Sequence, residues 1–391
     1  MTRIEDLTGN GWRGTPASAT SCPALVDGFR VLPWAQCDAP EFVAAWQELV
    51  CRSRTPNPFN ESWFLFPSLR AFDRSARVRL ATLVQDGELV GLIPLWRNSD
   101  YHGRPLPHLA SWTHPNSFCG EPLIAAGCEE AFWSAILDWC DRDRRLSAFL
   151  HFTALPLDGA ALTALDDICK RDQRPLRIVQ RTSRAALHHG LSPEDHLVRT
   201  LGKKRRKELS RKRRRLEEMG ELVFTRMSGT DDLDDWIDQF LTLENAGWKG
   251  EAHSSLASSV QTADFFRQSL HGAANAGRLE RLAFHLDGKS VAMLCNFITP
   301  PLAHSFKTAF DESLSKLSPG MLLQVENLAL LERGDIAMTD SCAVAGHPMI
   351  EQIWDDRREV VSVSLPIGGG VRRRIGDILT AIEARRLENR P

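Results

Sequence analysis

Apolar positions along this chain recur at two spacings, three-and-four apart in some stretches and every second residue in others. Residues 39–52 set Phe42, Val43, Trp46, Leu49 and Val50 on one side, the pattern of a helix. Thr55-Pro56-Asn57-Pro58 breaks it, and 61–72 is a second, aromatic-rich helix. Residues 78–84 and 89–96 read as strands flanking Asp86-Gly87, a strong hairpin signal. A strand at 121–125 follows, then a helix at 129–140 with Phe132, Trp133, Ile136 and Leu137 inward. A strand at 146–152, a helix at 159–171 and strand-like runs at 176–180 and 184–188 close the first half.

The second half opens with a helix at 193–219, whose Leu197, Leu201, Leu209 and Leu216 fall near one stripe. Gly220 stops it; a strand at 222–227 and a helix at 231–245 follow, the latter ended by Gly247-Trp248-Lys249-Gly250. A helix at 263–274 precedes a second hairpin, 279–286 and 290–298, turning at Asp287-Gly288. Residues 305–310 alternate like a strand, 319–333 form an amphipathic helix, and 336–343 are a last strand.

The two halves share a pattern. A gap-free shift of 201 positions aligns Phe64 with Phe265, Leu69 with Leu270, Leu83 with Phe284, Asp86-Gly87 with Asp287-Gly288 and Val90 with Val291. Each copy reads helix, strand, DG turn, strand, so the chain is predicted to be a tandem duplication of one α/β unit. The expected division is a flexible leader at 1–24, a first domain at 25–190 and a second at 191–391.

Composition adds little and removes several classes. With 391 residues, 43% hydrophobic and 25% charged, the chain suits two soluble domains. A net charge of −2 excludes a globally basic nucleic-acid binder. Nine scattered cysteines without a CxxC pair point to reduced cytoplasmic thiols, with neither a disulfide framework nor a zinc site. No stretch is long and apolar enough to predict a membrane span or a signal peptide. His102, His108 and His114 read as loop histidines, and Asp141 and Asp143 as a solvated helix end.

The copies differ where chemistry belongs. After its hairpin the second copy reaches Ser318-Pro319-Gly320 at the start of a helix, and the first has no such start. Ser is a good N-cap and Pro suits the first helical position. Gly320 keeps bulk away from the free amides, and a helix N-terminus favours anions. The segment is either an anion site or simply a well-capped surface helix.

Taken in order, these residues resemble a known family. The basic run Lys203-Lys204-Arg205-Arg206-Lys207, Gly247-Trp248-Lys249-Gly250, Ser318-Pro319-Gly320, Glu332-Arg333-Gly334, Gly346-His347-Pro348-Met349-Ile350 and Trp354 are similar to the CelD/BcsL type of acetyltransferase domain, within the GNAT superfamily. The resemblance covers about the last 200 residues. It implies an α/β (α+β) fold of tandem GNAT-like domains, as in Fem-type aminoacyltransferases, each a mixed, mostly antiparallel sheet flanked by helices. It also implies acyl-CoA (acetyl-CoA) as donor, no metal, and a role in exopolysaccharide or cell-envelope synthesis. The superfamily's usual phosphate loop is richer in Gly and basic residues than Ser318-Pro319-Gly320.

On that reading Ser318, Pro319, Gly320, Met321 and Leu322 hold the donor, and Phe310 marks the strand end whose N–H meets the thioester oxygen. Glu244 is the first candidate base, or else a solvated helix-end charge. Lys307 either faces inward, to hold a phosphate or polarise a carbonyl, or lies on the exposed strand face. Asp340 is either a carboxylate facing the acceptor or a hydrogen-bonded strand-end residue. Trp248, Lys249 and His347 are candidate contacts to the acceptor, a small molecule or glycan amine placed in the cleft between copies. The basic face at 203–215 is either solvated or a contact for a polyanion: acidic polysaccharide, anionic headgroups or RNA. The near-neutral chain and the lack of interleaved aromatics argue against nucleic acid, although an aminoacyl-tRNA-dependent transferase and an inactive GNAT-like scaffold are the alternatives.

Overall fold

The computed structural model describes residues 25–143 and 145–388; the leader expected at 1–24 lies outside the described residues. The chain starts with β1 (Gly28–Pro33), α1 (Pro40–Arg52) and α2 (Ser62–Phe72), then the hairpin β2 (Arg79–Gln85) and β3 (Glu88–Asn98). Short strands β4 (His108–Ser111) and β5 (Leu123–Ile124) precede α3 (Glu129–Arg142), β6 (Phe149–Pro156), α4 (Ala160–Arg171) and β7 (Arg177–His188). Next come α5 (Pro193–Thr200), α6 (Lys203–Glu217), β8 (Leu222–Ser228), α7 (Leu233–Asn245), α8 (Trp248–Glu251) and α9 (Val260–Asn275). The hairpin β9 (Leu279–Leu286) and β10 (Lys289–Thr299), β11 (Leu302–Phe310), α10 (Pro319–Asn327), β12 (Met338–Asp340), β13 (Asp356–Pro366) and α11 (Gly370–Glu388) complete it.

The chain gathers into two compact units that are not contiguous in sequence. The first takes the chain up to Ser62, Phe72–Arg181 and Val360 onward; the second takes Trp63–Ala71 and Thr182–Glu359. The expected boundary at 190/191 therefore misses two exchanges. Most of α2 belongs to the second unit because its aromatic face packs there: Phe64 meets Phe265, Phe297 and Phe306 at ring distances of 5.4–5.8 Å. The end of β13 belongs to the first unit because Val360–Pro366 pairs antiparallel with β6.

Within each unit the strands follow one plan. In the first, β1, β2, β3 and β4 run antiparallel, β4 pairs parallel with β6, and β6 pairs antiparallel with β13. In the second, β8, β9, β10 and β11 run antiparallel, β11 pairs parallel with β12, and β12 pairs antiparallel with β7. The predicted fold of mixed, mostly antiparallel sheets with flanking helices is what forms, in two copies.

The hairpins carry the duplication into backbone detail. Asp86 and Gly87 have φ of 52° and 78°; Asp287 and Gly288 have 49° and 77°. Both central residues lie in the left-handed region, as a type I′ turn needs, which is why Asp-Gly recurs. Val90 falls between Leu89, which pairs with Val84, and Gly91, which pairs with Leu83. Val291 falls likewise between Ser290 and Ala292, which pair with the adjacent His285 and Phe284. The residues aligned by the 201-position shift are thus the bulged ones in both copies.

Several expectations change. The long basic helix is two helices, α5 and α6, because the chain is extended at Leu201 and Gly202. Its leucines still face inward: Leu201 and Leu216 are buried, and Leu197 and Leu209 pack against the same clusters. The turn at 247–250 is itself the short helix α8. His108 is no loop residue; it is buried on β4 and stacked on Phe149. Asp141 is no solvated end either, since it accepts from Arg174, Arg373 and the Gly368 amide, and Asp143 pairs with Arg97.

Candidate functional site

In the second unit, β11 makes the turning point. Against β10 its Ser305 pairs with Asn296 and its Lys307 with Cys295, which leaves Phe306 as an extra residue in a bulge. Against β12 only Leu302, Ala303 and His304 pair. Beyond His304 the two strands part, and β12 turns its next amide away, Ser341 N–H donating to the Ala185 carbonyl at 3.2 Å. The remainder of β11 has a strand on one side only.

After Phe310 a 3-10 turn, Glu312–Leu317, leads to Ser318 and α10. Ser318 stands at the N-cap but does not cap: its φ is 53°, and its side chain receives no amide. Its hydroxyl instead accepts from Lys212 Nζ at 2.9 Å. The Leu322 amide bonds to the Ser318 carbonyl, and the Gly320 and Met321 amides donate to no group among the described residues. Two free N–H groups, the positive end of a helix and an ammonium thus converge. A Cβ on Gly320 would lie 2.8 Å from the Phe310 ring, so this glycine permits close packing of strand on helix as well as keeping the amides clear. A buried polar chain fixes α10 over the sheet, with Asn296 donating to Asn327 at 2.7 Å and Gln324 to Thr308 at 3.2 Å.

The expected cofactor residues divide in two. Pro319 and Gly320 are buried, and Ser318 and Met321 are half-buried at the helix mouth. Leu322 turns into the core cluster with Leu282 and Phe284, so only its backbone remains near the mouth.

Glu244, Lys249 and Lys307 come together, with His347 close enough to feel Lys249. Glu244 is buried rather than a solvated helix end; it accepts from Lys249 Nζ and from the Leu256 amide, each at 2.7 Å. Lys307 is half-buried, 5.4 Å over the Phe306 ring. Burial and the neighbouring Lys249 push its ammonium down to about 8, against the opposing pull of Glu244. Burial, with Lys249, also lowers His347. Trp248 does not line a core; it is exposed on α8, its amide donating to Glu312 at 3.0 Å.

Asp340 lies apart from this group. It is fully buried, 2.7 Å from an Arg184 nitrogen and 2.9 Å from one of Arg358, and it accepts from the Cys342 amide. Burial raises its pKa, but the two guanidiniums outweigh that and hold it below the usual carboxylate range. A carboxylate so enclosed is a structural counter-charge, not one that meets an acceptor from solvent. Lys212 and Glu312 were missed. Helical phase does not set Lys212 apart, because Arg205 lies closer to the stripe of Leu209 and Leu216 and Arg213 just as close.

With this geometry in place, comparison defines the class. Residues 203–342 match the family model of the Acetyltransferase (GNAT) domain. A conserved protein of unknown function from Bacteroides thetaiotaomicron is similar in structure, at 12% identity and a TM-score of 0.55, over 83% of this chain and 97% of that one. FemX is similar at 8% identity and a TM-score of 0.52, over 86% and 98%. No curated protein sequence matches the chain. The fold is therefore GNAT-like and laid out twice.

Proposed function

We propose that this chain is an acyl-CoA-dependent acyltransferase whose donor site lies in the second unit. The observation that carries the proposal is the head of α10, where the Gly320 and Met321 amides stand free with Lys212 beside them, next to a bulged strand that parts from its neighbour. These groups suit a pyrophosphate. When bound, acyl-CoA supplies the thioester carbon. The length of β11 past His304, which has a strand on one side only, lies toward its oxygen. The acceptor amine bonds to that carbon as Lys307 in its neutral form takes its proton. The C–S bond breaks, and the leaving thiolate takes the proton back from Lys307 to depart as the CoA thiol, while Glu244 holds Lys249 toward the acceptor. An amine acceptor in the cytoplasm, in exopolysaccharide or envelope synthesis, is the finer reading and rests on the CelD/BcsL-type resemblance.

Acetyl-CoA should raise the thermal midpoint in proportion to log concentration. Lys212→Ala should weaken binding about tenfold, the worth of one charge-assisted contact. Gly320 is the poorer probe, since any side chain there presses on Phe310. No stabilisation by acetyl-CoA at millimolar concentration would overturn the donor assignment.

A further inference from the structure

The last helix carries an apolar stripe that the fold does not use. Val371, Ile375, Ile378 and Ile382 are 74%, 49%, 61% and 44% exposed. Steps of four, three and four keep them within a band of about 60° on the helix. Leu146, 82% exposed, belongs to the loop whose Arg145 carbonyl accepts from Arg372 near the start of α11. The opposite face is the one committed to the core, with Gly376 and Thr380 buried. Solitary exposed apolar residues are ordinary; four in line on one helix are not.

The charges beside the stripe identify what covers it. Arg374 is exposed next to Ile375, and Arg385 and Arg386 are exposed at the far end. An open groove of about 750 Å³ between β7 and α11 adds Arg177 and Arg181 to Arg385. Five arginines stand against Asp377, 2.6 Å from Arg177, and Glu383, 3.5 Å from Arg386, so the surface carries a positive balance of charge. Pairing the stripe with a second copy of itself would set the same arginine-bearing flank on both sides of the contact. An anionic lipid surface meets apolar stripe and arginines together. We infer that α11 is a membrane-surface helix: it lies flat at the headgroup boundary of an anionic leaflet, its isoleucines dipping toward the acyl chains and its arginines on lipid phosphates. This is independent of the donor site in the other unit.

The test is co-sedimentation of the full chain with phosphatidylcholine vesicles, with and without phosphatidylglycerol. Wild type should pellet with the anionic vesicles only and be released as salt is raised. Ile375→Asp with Ile378→Asp should lower partitioning at least about tenfold. Arg374→Glu should lower it about fivefold and flatten the salt dependence. Both substitutions are on exposed positions, so unchanged thermal midpoints and an unchanged acetyl-CoA response confirm intact protein. Equal pelleting with neutral vesicles, or no pelleting at all, would overturn the inference. So would a dimer in light scattering that the double isoleucine variant dissolves while vesicles are ignored.

Discussion

The two units share a frame and differ at one place, the region just past the parallel strand pair. In the first unit that region is closed. β4 has four residues and no bulge; past it the Thr153 amide donates to Ser111 Oγ at 3.1 Å, and the Gly120 amide donates to the Ala154 carbonyl at 3.0 Å. Asn57 and Asn60 clamp that returning backbone by donating to the Glu121 carbonyl at 2.7 and 2.8 Å. In the second unit β11 has nine residues and a bulge, and β12 turns toward β7 instead. One sequence pattern thus yields a sealed copy and an open one. The candidate site lies where β11 has a strand on one side only.

The copies also differ in how they settle a buried polar group on the strand past the pair. The second places Asp340 between two arginines; the first places His151, whose ring meets Ser364 Oγ at 2.8 Å. Burial drives His151 down to about 3, so it is neutral at pH 7. The largest expected effect tests this contrast. Asp340→Asn leaves two buried guanidiniums without their carboxylate and should destabilise the second unit by about 3–5 kcal/mol. Ser364→Ala removes one neutral hydrogen bond and should cost about 1 kcal/mol. Because Asp340 titrates lower folded than unfolded, its contribution is present above the ordinary carboxylate pKa and lost as pH falls below it. Urea titrations of both variants at pH 7 and at pH 3 check the ranking; equal losses would show that Asp340 is no counter-charge.

Much of the frame was legible because its signals are local. Asp-Gly needs two left-handed residues, and the aromatic spacing of α2 and α9 survives in both copies. What escaped was non-local. Nothing near residue 360 says that β13 completes the sheet of the first unit, and α11 went unseen because its apolar residues face outward. The site was half legible. Glu244, Lys249, Lys307 and His347 do gather, but Asp340 sits elsewhere because two distant arginines, invisible to spacing, enclose it. Lys212 was hidden inside a run of similar charges.

Lys307 sharpens the comparison at intermediate magnitude. If the open copy does the chemistry, the transfer rate with acetyl-CoA and a reactive amine should rise through pH about 8, as the ammonium of Lys307 loses its proton. Lys307→Met should lower the rate about 10²-fold and abolish that rise. Stability moves with a definite sign. The folded pKa lies below the value of about 10.4 for an unfolded lysine, so wild type gains stability relative to the variant as pH climbs between the two. A rate profile unchanged by the substitution would remove Lys307 from the proton path.

The smallest effect probes what the copies have in common. Gly87 and Gly288 share φ values within a degree of each other, and a Cβ on either meets nothing within 4 Å. An alanine at either position therefore meets only the left-handed backbone penalty, about 1 kcal/mol. Gly87→Ala and Gly288→Ala should cost the same within a few tenths, each in the transition of its own unit if the units melt separately. The aspartates before them should not match. Asp287 accepts from the Glu221 amide at 2.8 Å, whereas Asp86 makes no such bond among the described residues. Asp287→Ala should exceed Asp86→Ala by roughly the worth of one hydrogen bond, about 1 kcal/mol. Equal glycine costs with unequal aspartate costs would separate the inherited turn from what each copy has since built around it. Unequal glycine costs would mean that the neighbours strain one hairpin, and that the shared frame is looser than its dihedral angles suggest.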